Sequence, residues 1–354
     1  MLWISSRFKM IKRVPSNLND KPRFSVSFVI AARNEEHTIR FCITSIKHQI
    51  YDGLDYEIIV VDDHSTDQTL AVLDSLDDVT VLKLEGDSFG KKKALQLGVD
   101  HASKEFIFFT DADCILSPNL VPELSLYQTV NNSKLIAGPV FITQNSRLIH
   151  HFQMYDFMAS MTITAAGFQV GDPIVCNGAC LMVDRNVFLE VDGYEGNLHI
   201  PSGDDVFLLY KFKKKYPLDV HFIKSVDAYV QTSAVERWQD LYFQRLRWGT
   251  KQGAMRSKKS TILMVMFFLT SLLILIGPLF VDRLNDIYVY LSMLITKFLA
   301  DALLILPIAR YYRLNVHPMM YLLSFFIHTF YLQILVISSV FYSKFVWKDR
   351  VLHN

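Results

Sequence analysis

The sequence predicts an α/β fold, a mainly parallel sheet with helices on both faces, followed by C-terminal transmembrane helices. Short apolar segments rich in β-branched residues alternate with helical segments, as in Phe24–Ala31, Glu57–Val61 and Glu105–Thr110. Beyond about Lys259 the composition changes to long apolar runs separated by short polar loops. A content of 51% hydrophobic residues agrees with a chain that lies partly in lipid.

Three apolar segments are candidate membrane spans. Ser260–Val281 is uncharged and long enough to cross ~30 Å of hydrocarbon as a helix. Ile287–Ile308 and Pro318–Tyr342 are the second and third candidates. The second contains Lys297 and Asp301, which share a helix face at a spacing of four residues and can form an ion pair. The pair is interpreted either as a neutralised structural pair or as part of a path for a lipid acceptor.

The charges near the first span predict the orientation of the chain. Arg256, Lys258 and Lys259 precede this span, and basic residues favour the cytoplasmic side. The sequence therefore indicates a multi-pass membrane protein whose large N-terminal part faces the cytoplasm. With three spans, the basic tail over residues 344–354 would lie outside against the same rule, so the orientation of the tail stays open.

These patterns divide the chain into four parts. Residues 1–23 form a basic amphipathic stub, either an in-plane anchor or a disordered tail. Residues 24–259 form the α/β domain, residues 260–343 the membrane domain, and residues 344–354 the tail. Four cysteines without paired CxxC units argue against a zinc site or a disulfide framework. A formal net charge of +1 supplies no basic field for a nucleic-acid partner.

Acidic residues follow two of the predicted strands. Asp62 and Asp63 come after one strand, and Asp111 and Asp113 come after another. Because ligands of open α/β sheets bind at the carboxyl ends of strands, we expect these acids to meet in one crevice. Asp111 and Asp113 can link Mg²⁺ or Mn²⁺ to phosphates, and the alternative is a pair of solvated loop acids. Asp63 can accept hydrogen bonds from a nucleobase or ribose, whereas turn or helix capping explains only one of the first two acids.

A lysine cluster and a second acidic pair begin later helices. Gly90 is followed by Lys91, Lys92 and Lys93 at a helix N-terminus, where lysines are unfavourable unless an anion such as a diphosphate binds there. For Lys92 and Lys93 an ordinary solvated basic turn is the alternative.

The second acidic pair, Asp204–Asp205, also lies at a helix N-terminus, where a carboxylate stays ionised. One such group could deprotonate an acceptor hydroxyl that attacks a sugar carbon opposite the leaving group, which inverts the anomeric centre. Helix capping accounts for one aspartate, which leaves Asp205 as the better catalytic candidate.

A third polar segment lies just before the basic residues of the first span. At helical spacing Gln244, Arg247 and Trp248 share one face. Arg247 can bind a diphosphate, and Trp248 can cover a sugar or an acceptor. Simple interfacial anchoring is the alternative, and it suits Trp238 and Arg245 better.

In their order along the chain, these motifs resemble the family 2 glycosyltransferases, in particular the membrane branch with cellulose, chitin and hyaluronan synthases and ceramide glucosyltransferase. The resemblance extends over roughly Ser25 to Trp248. The matching segments are Ala31–Glu36, Val61–Ser65, Gly90–Leu95, Asp111–Asp113, Gly203–Asp205 and Gln244–Trp248. The resemblance implies a GT-A type nucleotide-sugar-binding domain.

The resemblance also implies roles for individual residues. Asp205 would be the catalytic base, and Asp113 with Asp111 would hold Mg²⁺ or Mn²⁺. The implied donor-binding residues are Glu35, Asp63, Lys91, Asp111, Gln244, Arg247 and Trp248. The implied acceptor-binding residues are Asn177, Gly178, Asp204 and Trp248. A tightly packed strand explains the small residues around Gly178 equally well.

The implied function is inverting, metal-dependent transfer of a sugar from a nucleoside-diphosphate sugar, a UDP-sugar first of all. The acceptor would be a lipid, a lipid-linked molecule or a glycan at the cytoplasmic membrane face. A processive polysaccharide synthase is the alternative, although its secretion channel normally needs more than three helices. A nucleotidyltransferase would need a glycine-rich triphosphate loop near Ala31, and a non-catalytic scaffold would tolerate Asp205→Asn.

Overall fold

The computed structural model describes residues 4–7, 24–49, 54–143, 145–198, 200, 202–255, 258–341, 344–347 and 350–353. The chain divides into two compact units. Residues 11–141 and 167–233 form one, named here the α/β unit, and residues 1–10, 142–166 and 234–354 form the other, named the helical unit. The helical unit thus includes segments that precede the first apolar run.

The α/β unit contains a seven-stranded sheet with the strand order β3-β2-β1-β4-β8-β6-β9 and a smaller sheet with the order β5-β10-β7. The strands are β1 (Phe24–Ala32), β2 (Leu54–Asp62), β3 (Thr80–Lys83), β4 (Phe106–Asp111), β5 (Cys114–Leu116), β6 (Leu135–Ala137), β7 (Val140–Ile142), β8 (Leu181–Asp184), β9 (Val220–Phe222) and β10 (Val230–Thr232). In the larger sheet β1 pairs in parallel with β2 and β4, β2 with β3, and β6 with β9, whereas β8 is antiparallel to β4 and β6. The mainly parallel sheet predicted from the sequence is confirmed.

Helices connect the strands of this unit. They are α1 (Ile39–Lys47), α2 (Thr69–Asp74), α3 (Lys91–His101), α4 (Leu120–Asn131), α6 (Arg185–Glu190) and α7 (Asp204–Lys215). α5 (Leu148–Gln169) begins in the helical unit. In β1 the consecutive side chains of Phe28, Val29 and Ile30 are all fully buried. Because neighbouring strand residues point to opposite faces, both faces of the sheet are covered at this strand.

The register of the three central strands determines where the site lies. Ala31 of β1 pairs with Val61 of β2 on one side and with Asp111 of β4 on the other. Ala32 pairs with Asp62. All three strands are parallel, so the loops that follow them leave the sheet at the same edge, and their acidic residues leave with them.

The helical unit contains the C-terminal apolar helices. Its elements are the first part of α5, then α8 (Trp238–Met255), α9 (Lys258–Ile276), α10 (Leu284–Tyr311), α11 (Pro318–Phe341), β11 (Lys344–Trp347) and β12 (Arg350–His353). Three segments are long and apolar enough to cross a membrane, as the sequence predicts: Thr261–Phe280, Leu284–Tyr311 and Pro318–Ser339. Apolar side chains such as Ile262, Leu299 and Ile337 are more than half exposed on these helices, which suits contact with lipid.

The predicted ion pair on the second apolar helix forms. Lys297 and Asp301 contact each other across one turn of α10, and Lys297 is 9% exposed. The domain boundaries at residues 23, 259 and 343 stay a prediction. Of the N-terminal stub, residues 4–7 are helical. Arg256, Tyr342 and Lys348 lie outside the described residues.

Close packing of α3 on the sheet gives a stability prediction. A Cβ at Gly98 would lie 2.5 Å from Val29 Cγ1 and 3.3 Å from Val61 Cγ2, and both valines are fully buried. We expect Gly98→Ala to destabilise the protein by about 1–3 kcal/mol, because overpacking displaces core side chains. The measurement is the thermal midpoint of the purified chain in detergent.

Gly249→Ala on α8 is the matched control, because a Cβ there would meet nothing within 4 Å. Alanine is the better helix former, so this control should leave the midpoint unchanged or raise it slightly. An unchanged midpoint for Gly98→Ala would contradict the packing described for α3.

Candidate active site

The two acids after β2 have different partners. The Asp62 carboxylate accepts a hydrogen bond from the Ser65 amide, with nitrogen–oxygen distances of 3.1 and 3.3 Å. The Asp63 carboxylate is 2% exposed and accepts a hydrogen bond from the Gly90 amide at 3.0 Å. Asp62 therefore stabilises the turn after β2. Asp63 fixes the start of α3, the helix that carries Lys91.

Arg33 stabilises the same edge of the sheet. Its buried guanidinium donates from Nη1 to the backbone oxygens of Asp63 at 2.8 Å and His64 at 2.6 Å. These bonds hold the loop after β2 against the end of β1. Arg33 is not among the predicted site residues. In the sequence, the feature that could have indicated this role is an arginine directly after an apolar strand, in a chain whose next strand ends in acids.

Glu35 lies in the loop between β1 and α1. Its amide donates to Thr69 Oγ1 at 2.7 Å, and its carboxylate accepts from the Thr38 hydroxyl at 2.9 Å. The residue is therefore held in place at the edge of the sheet where Asp63 and Asp111 also lie. Its predicted contact with the donor stays a prediction.

Lys91 connects the strand-end acids to the acids of α7. Its Nζ lies 2.6 Å from Asp111 Oδ1 and 3.1 Å from Asp204 Oδ2. Burial alone lowers the pKa of Lys91, but the charges of the two carboxylates outweigh burial and raise this pKa well above its usual value. The Lys91 side chain therefore stays protonated and bridges Asp111 and Asp204, which are 93 residues apart in sequence.

The residues after β4 form the candidate metal site. One ligand atom from each of Asp111, Asp113 and Cys114 lies within 4.8 Å of the others. Asp113 also accepts a hydrogen bond from the Thr232 hydroxyl at 3.3 Å. Burial, followed by the charges of Asp113 and Asp111, raises the pKa of the Cys114 thiol well above its usual value. The two carboxylates of this group offer the oxygen ligands that Mg²⁺ and Mn²⁺ prefer.

Asp204 and Asp205 begin α7 after Gly203, whose φ of 82° is in the left-handed region that favours glycine. The first turn of a helix stabilises negative charge. Asp204 pairs with Lys91, whereas Asp205 is 8% exposed and its Oδ1 lies 2.8 Å from the Val206 amide. The two adjacent acids thus have different surroundings. The expectation that one of them caps the helix is wrong, because the N-cap position is Gly203 and both aspartates lie in the first turn.

The predicted acceptor segment lies against the same acids. A Cβ at Gly178 would lie 3.0 Å from Asp204 Oδ2 and 3.5 Å from Asp205 Cβ, so the absence of a side chain lets the two segments approach closely. The Asn177 side chain accepts a hydrogen bond from the Ala179 amide at 3.0 Å and caps a short 3₁₀ turn. The structure therefore gives Asn177 a capping role and brings Gly178 directly against Asp204.

Lys92 is buried and contacts backbone oxygens and an aromatic ring. It is 4% exposed, and its Nζ donates to the backbone oxygens of Asn197 at 2.8 Å and Ile200 at 3.0 Å. The ammonium also lies 4.6 Å from the centre of the Phe207 ring. The alternative of a solvated turn therefore does not hold for Lys92, because this lysine ties the start of α3 to the loop that leads into Asp204.

The last predicted group lies on α8 in the helical unit. The Trp248 ring packs against Phe157 of α5 at 6.0 Å between centroids. The Arg245 guanidinium lies 4.4 Å above the Trp248 ring and 2.6 Å from the Asp156 carboxylate. The donor contacts predicted for Gln244 and Arg247 stay a prediction.

Parts of the chain are similar to known proteins. The family model described as glycosyl transferase family 2 matches residues 27–191. The poly(ribitol-phosphate) beta-N-acetylglucosaminyltransferase TarP of Staphylococcus aureus is 29% identical over 127 residues, 35% of this chain and 39% of that relative. The UDP-Glc:alpha-D-GlcNAc-diphosphoundecaprenol beta-1,3-glucosyltransferase WfgD of Escherichia coli is 30% identical over 130 residues, 36% of this chain and 51% of that relative. The chain thus spans about half or less of the length of these relatives.

A solved structure shows the fold. The mannosyltransferase PcManGT from Pyrobaculum calidifontis, in complex with GDP-Man and Mn²⁺, superimposes with a TM-score of 0.56 at 16% identity. The superposition covers 96% of this chain and 93% of that chain. This structural similarity agrees with the GT-A fold expected from the motifs. The region matched by the family model contains Asp63, Lys91, Asp111 and Asp113. Residues 27–191 therefore form a domain of glycosyl transferase family 2.

Proposed function

We propose that the chain transfers a sugar, with inversion and with a divalent cation, from a nucleoside-diphosphate sugar to a lipid or lipid-linked acceptor. The observation that carries this proposal is the position of the Lys91 ammonium between Asp111 and Asp204. Asp111 is on the strand end that would bind the donor, and Asp204 adjoins the proposed base. One cation thus joins the two halves of a transfer site.

The donor side combines acids for the nucleoside and cations for the diphosphate. Asp63 and Glu35 lie at the edge of the sheet where they would bind the base and ribose, and Lys91 would bind the diphosphate. A bound diphosphate would offer Lys91 a further anionic partner beside Asp111 and Asp204. We propose a UDP-sugar as the donor, in line with the UDP-Glc in the name of WfgD.

Asp111 and Asp113 would hold Mg²⁺ or Mn²⁺, since each offers a carboxylate oxygen and these oxygens lie within 4.8 Å of each other. When bound, such a cation neutralises charge on the departing diphosphate. The Mn²⁺ in the complex of PcManGT supports the same choice of metal. Thr232 would orient Asp113 through its hydroxyl.

Asp205 would act as the base. Its carboxylate takes the proton from the acceptor hydroxyl while the hydroxyl oxygen forms a bond to the anomeric carbon. The bond from that carbon to the diphosphate oxygen breaks, and its electron pair leaves with the nucleoside diphosphate. Attack from the side opposite the leaving group inverts the anomeric centre. Asp204 and Gly178 would border the acceptor, because they lie directly beside Asp205.

A membrane-bound acceptor is supported by the three apolar helices of the chain. The relative WfgD carries a diphosphoundecaprenol in its name, which is a lipid-linked acceptor. Basic residues before the first apolar helix favour a cytoplasmic site, so we propose a multi-pass protein with its catalytic part on that side. On α8, Gln244, Arg247 and Trp248 would close over the donor and the acceptor.

Product analysis tests this proposal. Membranes that contain the full chain are incubated with radiolabelled UDP-sugars, Mn²⁺ and a polyprenyl-diphosphate sugar, and the products are extracted into organic solvent. We expect the label in a single lipid-extractable product enlarged by one sugar. A water-soluble polymer ladder, or the absence of transfer from every nucleotide sugar, would contradict the proposal.

The assignment of the base predicts different outcomes for two adjacent acids. Asp205→Asn should lower kcat by about 10²–10⁴-fold, because the acceptor loses its proton acceptor. Asp204→Asn should retain measurable kcat and raise the KM for the acceptor by about tenfold, since it removes a charge that borders the acceptor and leaves Lys91 paired with Asp111. Steady-state kinetics with both substrates varied separates the two parameters.

Asp100→Asn is the control for these variants. Asp100 is an exposed acid on the far end of α3, where it accepts a hydrogen bond from Gln96. This substitution should leave both constants unchanged. Equal losses for Asp204→Asn and Asp205→Asn, or full activity of Asp205→Asn, would refute the assignment.

The proposed cation site predicts a metal requirement. Chelation with EDTA should abolish transfer, and Mn²⁺ or Mg²⁺ should restore it. Asp113→Asn should raise the Mn²⁺ concentration for half-maximal activity by about tenfold or more, because one of two carboxylate ligands is lost. Electron paramagnetic resonance of bound Mn²⁺ gives a readout independent of turnover, and wild-type Mn²⁺ affinity in Asp113→Asn would count against the site.

A further inference from the structure

A cavity of about 270 Å³ lies within the helical unit. Its volume is near the lower end of the ~300–1,000 Å³ that is typical of ligand pockets. Four helices line it, with Ala159 from α5, Phe267 from α9, Leu304 from α10 and Phe325 from α11 as examples. None of these residues belongs to the site proposed for the donor. The cavity is therefore a separate feature of the part of the chain that contains the apolar helices.

The wall of the cavity is mostly apolar, and its two acids are paired. Asp156 lies 2.6 Å from the Arg245 guanidinium, and Asp301 contacts Lys297. Each carboxylate is thus neutralised by a neighbouring cation. The cavity therefore does not require a cationic ligand. A ligand that fits this wall has a largely apolar body.

Polar side chains also line the cavity. Ser324 and His328, one turn apart on α11, both line it. Ser324 is 4% exposed, and within the described part of the chain its hydroxyl has no hydrogen-bond partner. Because buried polar groups are normally hydrogen-bonded, this hydroxyl indicates an occupant with an oxygen at one end. An apolar body with a polar end describes a lipid.

The cavity adjoins the helix that carries three predicted substrate contacts. Arg245, the partner of the wall residue Asp156, lies on α8 and stacks on Trp248. Phe157, the chain neighbour of Asp156, packs against the Trp248 ring and lies 5.4 Å from the Arg245 guanidinium. A lipid in the cavity would contact Asp156, whose partner Arg245 stacks on Trp248. Trp248 is the residue that is proposed to cover the acceptor. This position favours the acceptor lipid over a bulk membrane lipid.

We propose that this cavity binds the hydrocarbon chain of the lipid acceptor, with the polar end of the chain at Ser324 and His328. The proposal rests on the proposed function and deepens it, because it assigns the lipid part of the acceptor to residues of α5, α9, α10 and α11. The exposed apolar side chains of α9 to α11 remain for contact with bulk lipid.

Photocrosslinking tests the occupant. The full chain in phospholipid nanodiscs is mixed with a polyprenyl-diphosphate sugar whose hydrocarbon carries a diazirine, and crosslinked peptides are mapped by mass spectrometry. We expect labelling of peptides from α5 and α11, reduced about tenfold by excess unlabelled acceptor. A phospholipid with the same diazirine should label these peptides weakly. Equal labelling by the phospholipid, or no competition by the acceptor, would overturn the proposal.

A variant that fills the cavity tests the role in transfer. Ala159→Phe places a ring in the cavity, whereas Ile337→Phe, on an exposed position of α11 outside the lining, is the matched control. We expect Ala159→Phe to raise the KM for the long-chain acceptor about tenfold and to leave the KM for the donor unchanged. Binding of UDP with Mn²⁺ verifies that the variant is folded.

A short-chain acceptor separates this proposal from the proposed function. The same sugar diphosphate on a chain of a few carbons does not need the cavity, so wild type and Ala159→Phe should use it equally well. If wild type transfers sugar to the long-chain acceptor and Ala159→Phe does so with the same KM, the cavity proposal alone fails. If wild type transfers sugar to neither acceptor, the proposed function fails.

Discussion

Parallel pairing of β1 with both β2 and β4 is the constraint on which the site depends. The register sets Asp62 and Asp111 opposite consecutive residues of β1, so two acidic loops leave the sheet at one edge. The loop after β2 is then stabilised by contacts that the strands alone do not supply. Arg33 holds the loop after β2, and the Gly90 amide holds Asp63. The sheet thus determines where negative charge accumulates.

Accumulated carboxylates at close range need a counter-charge, and Lys91 supplies it. Its ammonium contacts Asp111 from the sheet and Asp204 from α7. Lys92, the next residue, binds carbonyl oxygens in the loop before Asp204. The first turn of α3 therefore ties the acids at the end of β4 to the start of α7 through two adjacent lysines. Lys91 is the residue proposed to bind the diphosphate, and Lys92 is buried in a structural role.

The features that are local in sequence could be predicted. An apolar run followed by an acid gives a strand with a carboxylate at its end, and Lys297 with Asp301 gives a pair at helical spacing. The contacts of Lys92 lie 105 and 108 residues away, and no periodicity reveals them. The same holds for the inclusion of residues 142–166 in the helical unit, since Asp156 meets Arg245 only after folding.

We propose that the strand-end acids and Lys91 form one site for a nucleoside diphosphate and a cation. Isothermal titration calorimetry of UDP into the purified full chain, with and without Mn²⁺, tests this proposal. We expect binding that requires Mn²⁺ and is weakened at least about tenfold by Lys91→Met. If UDP binds equally well with and without Mn²⁺, and equally well to wild type and Lys91→Met, this proposal is contradicted.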